Sequence, residues 1–257
     1  MKVTVCQLDN RSLYLDAMLA GLEQHLKQEN SDFLLLPEMC FAEWLAADPI
    51  ADGARWKSAV LEHEKRIRQL HQLGVAAVVA TRPIIRRSGS HRNQAYLWTS
   101  AGGLQGIHEK YYLPDEADYW ENSWYDRGQP TYELARVQDV RIGIQICTEM
   151  WFFEWARHYA RAQADILCVP RATPHGTLEK WLAGGQAAAV CSGAYCLSSN
   201  LWNPLDSKAN LGGQGWVIDP DGVVLARTDE ETPFRTVKID LKYARRSKTT
   251  YPRYVRE

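Results

Sequence analysis

The chain has 257 residues, 46% hydrophobic and 24% charged, with a formal net charge of −1. That length fits one α/β domain with a substantial core. The near-neutral balance gives no basic face for nucleic acid, and no apolar run reaches the roughly 18 residues of a membrane span, so neither partner is expected. The six cysteines include no CxxC pair and several sit in apolar runs, which predicts free thiols in a reducing cytoplasm rather than a zinc ribbon or a redox motif.

Residues 3–8 read as a buried strand at the very start of the chain, without the pattern of a secretory signal. Leu15, Met18, Leu19, Leu22 and Leu26 recur at helical spacing and predict a helix over 13–28. Residues 33–36 form a short apolar strand that ends on Pro37-Glu38. A second helix is predicted over 54–73 with Gly74 as its stop, followed by a central strand over 75–80. Segments 93–100 and 104–111 flank Ala101-Gly102-Gly103 as a hairpin. Residues 112–135 are a loop rich in Trp, Tyr, Asp and Pro, and a loop that long in a compact domain is a functional candidate.

The strand 141–146 stops on Cys147, a helix follows over 153–163, and the strand 165–169 ends at Pro170. The helix 178–192 is rich in Gly and Ala, which suits close packing against another element or another subunit. Strands follow at 195–199, at 215–218 and 223–226 around the turn Asp219-Pro220-Asp221-Gly222, and at 234–239. The polar tail 243–257 completes the chain, and the basic cluster Lys242, Arg245, Arg246, Lys248, Arg253 and Arg256 reads as solvated or as a subunit contact. Strands alternate with helices, but hairpins interrupt the alternation, so a layered α/β domain with a mixed sheet over residues 1–257 is expected.

Ligands of open α/β sheets bind beyond the carboxyl ends of the strands. Cys147 stands at such an end, and Glu38, Lys110 and Glu116 stand at comparable places. A thiol, a base and an ammonium group at one rim are the parts of a cysteine-nucleophile hydrolase. Each residue also has a plainer reading: a buried structural cysteine, a solvated strand-end glutamate, a solvated lysine on a hairpin edge. Glu116 competes with Asp115 and Glu121 in the same loop. Arg171 could clamp a substrate carboxylate or form an internal ion pair, and His175 follows it on the same loop. Trp120, Trp124, Tyr125, Trp151 and Trp202 are candidates for pocket wall or for core. There is no HExxH and no GxSxG, and Gly213-Gln214-Gly215 lacks the third glycine of a dinucleotide loop, so neither metal nor cofactor is expected.

Taken together, Leu34-Leu35-Leu36-Pro37-Glu38, Glu109-Lys110-Tyr111-Tyr112-Leu113-Pro114-Asp115-Glu116 and Gly143-Ile144-Gln145-Ile146-Cys147 resemble the three motif blocks of the nitrilase superfamily, the carbon–nitrogen hydrolases. Gln7, Ala164-Asp165-Ile166 with Pro170, and the segment from Trp216 to Gly222 fall in the same order, so the resemblance covers most of the chain. It implies a four-layer αββα sandwich with two mixed β-sheets. It also implies a Glu–Lys–Cys triad: Glu38 as general base, Lys110 as the catalytic lysine, Cys147 as nucleophile and Glu116 as the second glutamate. Members usually assemble as homodimers or higher homo-oligomers. Thr148 and Glu149 stand where the family often carries an aromatic residue and then Asp, and the Trp and His of the Cys-Trp-Glu-His of nitrilases proper are absent, which points to an amidase-type branch. The expected reaction is hydrolysis of the ω-amide of a small carboxylic acid through a cysteine thioester, with the Thr148 N–H helping to hold the oxyanion. N-carbamoyl hydrolysis, acyl transfer from the same thioester and a non-catalytic binding protein are the alternatives.

Overall fold

The structure is a computed structural model that describes residues 1–205 and 207–255; Arg256 and Glu257, the end of the expected tail, lie outside the described residues. In chain order the elements are β1 (Lys2–Leu8), α1 (Leu15–Glu29), β2 (Phe33–Leu35), α2 (Gly53–Gln69), β3 (Ala77–Ile85), β4 (His91–Thr99), β5 (Gly103–Glu109) and α3 (Glu121–Trp124). They continue with β6 (Ala135–Val137), β7 (Val140–Ile144), α4 (Phe153–Arg161), β8 (Ile166–Arg171), α5 (Leu178–Ser192) and β9 (Tyr195–Leu201). The last are β10 (Trp216–Ile218), β11 (Val224–Arg227), β12 (Phe234–Lys238) and α6 (Leu241–Ser247).

Strand parity sorts the side chains into two cores. Val3, Val5, Phe33, Leu35, Ala77, Val79, Ala95 and Leu97 face inward against Ile142, Ile144, Ile166 and Cys168 of the second half. Their sequence neighbours Leu34, Val78, Tyr96 and Trp98 face the other way, onto Leu22 and Leu26 of α1 and Trp56, Ala59 and Ile67 of α2. Ala156 and Tyr159 of α4 and Leu182 and Ala188 of α5 cover the far side of the second half. The layers are therefore helix, sheet, sheet, helix. Because the central strands are buried on both faces, they read in sequence as unbroken apolar runs.

The strands run in the order β5-β4-β3-β2-β1-β9-β8-β7-β6. β1–β2, β2–β3, β7–β8 and β8–β9 pair in parallel, and β3–β4, β4–β5 and β6–β7 antiparallel. The two expected sheets are mixed, and they are also joined: β1 and β9 pair through Gln7–Asn200 and Leu8–Leu201, making one 12-stranded sheet among the described residues, with β10, β11 and β12 off its main path. This seam brings the carboxyl ends of β2, β7 and β8 to a common rim.

Two departures from the sequence expectation concern length and docking. β3 continues past Ala80 to Ile85, because Pro83 sits in an antiparallel pair with Asn93. The basic C-terminal segment is docked in part: Arg245 pairs with Asp165 and Asp139, Lys248 donates to the Ser192 and Gly193 carbonyls, and Arg253 pairs with Asp221, while Lys242 and Arg246 are exposed. Those carbonyls end α5, where a cation is favoured by the helix dipole. No helix among the described residues is long and apolar enough to cross a membrane.

Candidate active site

Glu38, Lys110 and Cys147 come from three separate strand ends and meet in the interior. Glu38 follows β2, and its N–H donates to the Arg171 carbonyl at 3.2 Å. The Cys147 thiol faces the carbonyl of the next residue, Ala172, at 3.9 Å. The end of β8 therefore sets the positions of both. Lys110 lies one residue past β5, with its N–H on the Asn93 carbonyl at 2.9 Å.

Two of these positions require unusual backbone. Cys147 has φ +49° and Met39, directly after Glu38, has φ +42°, both in the left-handed region that non-glycine residues avoid. Such conformations persist only where the surroundings enforce them. For Cys147 the enforcement is visible on both sides. Tyr159 packs so closely on Gly143 that a Cβ there would lie 2.7 Å from the ring, and its hydroxyl bonds both Ile144 N and Ile144 O. A Cβ on Gly184 of α5 would lie 2.9 Å from both Met150 and Trp151, so a larger residue could not press the helix against the turn Cys147–Trp151.

Lys110 is fully buried and bound by two carboxylates. Its Nζ donates to Glu38 Oε1 at 2.8 Å and lies 2.6 Å from Glu121 Oε2. Glu38 Oε1 also accepts from Asn93 Nδ2 at 2.8 Å, while Glu38 Oε2 has no hydrogen-bond partner among the described residues. Glu121 accepts in addition from the Tyr125 hydroxyl. Burial disfavours the ammonium, but Glu121 and Glu38 outweigh it and hold Lys110 protonated. Burial raises the Glu121 carboxyl. Burial, and then the Glu38 carboxylate, push the Cys147 thiol up against the opposing pull of Lys110. At rest this group is therefore a neutral thiol, and attack by its sulfur would need a base.

A cavity of about 650 Å³ opens over Cys147. Thr148, Tyr112, Tyr119, Trp151, Phe152 and Trp181 form much of its wall, with Arg127, Lys180, Asp115 and Glu116 as its formally charged groups besides Glu121. Thr148 is the second residue of a one-turn helix, and the first N–H groups of a helix have no acceptor within it. That makes its N–H an available oxyanion donor. Trp151 is 39% exposed and leans on Trp181 with ring centroids 5.0 Å apart.

The remaining expected site residues fall elsewhere. Glu116 is exposed at the cavity mouth, and the acid beside Lys110 is Glu121. The reason is a tight turn: Tyr119 N–H bonds the Glu116 carbonyl at 2.9 Å, which reverses the chain and starts α3 with Glu121 facing inward. Arg171 is fully buried behind the wall and cannot clamp a substrate there. Among the described residues it forms no internal ion pair either; it donates to Ser198 Oγ, Thr173 Oγ1 and the Gln214 carbonyl and lies 3.9 Å from the Trp216 ring centroid. Burial lowers its pKa to about 9. His175 Nε2 is taken by the Asn203 carbonyl at 3.0 Å, and Trp120 anchors its loop through its N–H on the Ala46 carbonyl; both lie outside the cavity wall. Trp124 is core, donating to the Asp48 carbonyl. Asn93 and His108 carry no sequence signal of their own that marks them as parts of the site, Tyr125 reads only as a candidate for wall or core, and Glu149 only as a departure from the family pattern. No group of three or more His, Cys, Asp or Glu able to hold a metal occurs among the described residues.

The left-handed turn gives a stability test that is independent of any substrate. Cys147→Gly should be more stable than Cys147→Ala by about 1 kcal/mol, because only glycine adopts φ +49° without strain. Equal melting temperatures for the two variants would show that the turn is not strained.

Three comparisons place this geometry. The sequence profile of the family described as carbon-nitrogen hydrolase matches residues 2–249. Deaminated glutathione amidase of Synechocystis sp. is 28% identical over 167 residues, 62% of this chain and 61% of that protein. N-carbamoylputrescine amidase of Arabidopsis thaliana is 30% identical over 157 residues, 56% of this chain and 52% of that protein. The chain thus spans less than two thirds of either relative. The crystal structure of a carbon-nitrogen hydrolase from Helicobacter pylori G27 superimposes with a TM-score of 0.84 at 19% identity, covering 99% of this chain and 94% of that one, which shows a shared fold. With the profile matched over residues 2–249, the chain belongs to the carbon–nitrogen hydrolase family.

Proposed function

We propose that the chain hydrolyses the ω-amide of a small carboxylic acid through a thioester on Cys147. The observation that carries this reading is the ammonium of Lys110 held between Glu38 and Glu121 in the interior that also contains the Cys147 thiol. Glu38 takes the thiol proton as sulfur bonds to the carbonyl carbon, and the oxygen becomes an oxyanion held by Lys110 and the Thr148 N–H. The tetrahedral centre collapses, the C–N bond breaks, and Glu38 returns its proton to the nitrogen, so ammonia leaves. Glu38 then takes a proton from water as the hydroxyl adds to the thioester carbon. The C–S bond breaks, the acid is released and the sulfur recovers its proton from Glu38. Glu121 keeps Lys110 charged and in place throughout.

The cavity is larger than a primary amide group needs, so the acyl part of the substrate is extended. In this reading its distal carboxylate meets Arg127 and Lys180, the cations of the wall, in place of the buried Arg171. Charge-assisted hydrogen bonds of this kind contribute about 1.5–3 kcal/mol. Lys180→Ala should therefore lower kcat/KM for carboxylate-bearing amides, relative to neutral amides of the same length, by roughly tenfold. An unchanged ratio in both Lys180→Ala and Arg127→Ala would remove the anionic end from the substrate.

A second reading, N-carbamoyl hydrolysis, is favoured by the Arabidopsis relative and by Asp115 and Glu116, which give the mouth acids suited to an ammonium group. The two readings separate by product. Across a panel of ω-amides, neutral amides and N-carbamoyl compounds, with Cys147→Ala as the blank, the amide reading expects ammonia alone. Ammonia together with carbon dioxide from an N-carbamoyl compound, at higher kcat/KM than any amide, would replace it.

A further inference from the structure

Glu149 is fully buried two residues after Cys147, and the proton transfers above do not use it. Its carboxylate accepts the Ile146 N–H at 2.7 Å, the Tyr111 N–H at 2.8 Å and the Tyr132 hydroxyl at 3.2 Å. Both of its oxygens lie 2.9 Å from His108 Nε2. These donors come from opposite sides of the site. Ile146 is the residue before the nucleophile. His108 and Tyr111 bracket Lys110 in the segment that carries it. A single carboxylate thus ties the turn of Cys147 to the strand end of Lys110, across the joint where two halves of the molecule meet.

His108 is the counter-ion. Its Nδ1 faces the Thr131 carbonyl at 3.2 Å while Nε2 faces Glu149, and only the doubly protonated ring donates from both nitrogens. Burial opposes that proton, but the Glu149 carboxylate raises the pKa of the ring on balance. A buried ion pair is weak support for stability; its better attested use is to fix one arrangement among several. Here the arrangement fixed is the one between thiol and ammonium.

We propose that Glu149, charged and oriented by His108, is a positioning residue that sets the spacing of Cys147 from Lys110. The proposal rests on the reading of Cys147 as nucleophile. A displacement of about 1 Å in a reacting geometry lowers rate by up to roughly 100-fold, while binding elsewhere in the cavity is untouched.

The test compares Glu149→Gln, Glu149→Asp and His108→Gln with the wild type in three measurements: kcat and KM on the best amide, melting temperature, and the rate at which iodoacetamide labels Cys147. Glu149→Gln should lower kcat by about tenfold or more with KM within about threefold, the signature of an interaction lost in the transition state. Labelling of Cys147 should slow in parallel, since the displaced ammonium no longer favours the thiolate. Glu149→Asp, which keeps the charge, should recover part of the loss in kcat and labelling. His108→Gln should fall in the same direction, and it decides the question if Glu149→Gln does not fold. A folded Glu149→Gln or His108→Gln with wild-type kcat and labelling, whatever its melting temperature, would reduce the pair to a structural role. If Cys147 in the wild type is not the most reactive thiol, the nucleophile assignment fails first and this proposal falls with it.

Discussion

An ammonium group buried between two carboxylates is the constraint on which the rest of the site depends. Lys110 has no exposure, and neither do Glu38 and Glu121. Removing Lys110 from such a set leaves two buried carboxylates without a counter-charge, at roughly 3–5 kcal/mol. Burial, reinforced by the Glu38 carboxylate, keeps the Cys147 thiol neutral at rest. When the thiol proton moves to Glu38, the net charge of the cluster does not change. Proton transfer within the site therefore avoids creating a new charge in a low-dielectric interior, which would be the most expensive step available to it.

The fold supplies the frame for that cluster through backbone rather than through side chains. The end of β8 receives Glu38 by one carbonyl and Cys147 by the next. Two left-handed residues, Met39 and Cys147, mark the points where the chain turns away from β2 and β7 beside Glu38 and at the thiol. Left-handed backbone at a non-glycine residue costs of order 1 kcal/mol or more, and the packing of Tyr159 and α5 on the nucleophile turn offsets it. Glu149 completes the frame by joining that turn to the segment of Lys110.

Much of this was legible in the sequence. Buried parallel strands give unbroken apolar runs, so the runs ending at Glu38 and at Cys147 mark their own rims. The αββα layering was legible only through the resemblance to the nitrilase superfamily; the runs by themselves point to a layered α/β domain with a mixed sheet. The choice between Glu116 and Glu121 was not legible. It depends on a turn closed by Tyr119 and on two long-range anchors of its loop, Trp44 Nε1 on the Asp118 carbonyl and Trp120 N–H on the Ala46 carbonyl. No local periodicity records such contacts. Arg171 misled for a related reason. Its position beyond Pro170 suggested the rim, but β8 is buried on both faces and its pairing with β9 turns the guanidinium towards Ser198 and Trp216. Glu149 was visible only as a residue out of pattern two positions after Cys147, and its partners His108 and Tyr111 lie 41 and 38 positions away.

The most direct measurement is the rate at which iodoacetamide labels each of the six cysteines, in the wild type and in Glu38→Gln. Exposure alone would favour Cys191, the only one of the six that is not buried. The account predicts that buried Cys147 reacts first, and that Glu38→Gln slows it by about 100-fold or more while the other five are unaffected. Faster labelling of Cys191 in the wild type, or a Cys147 rate that ignores Glu38, would contradict the claim that Glu38 activates Cys147.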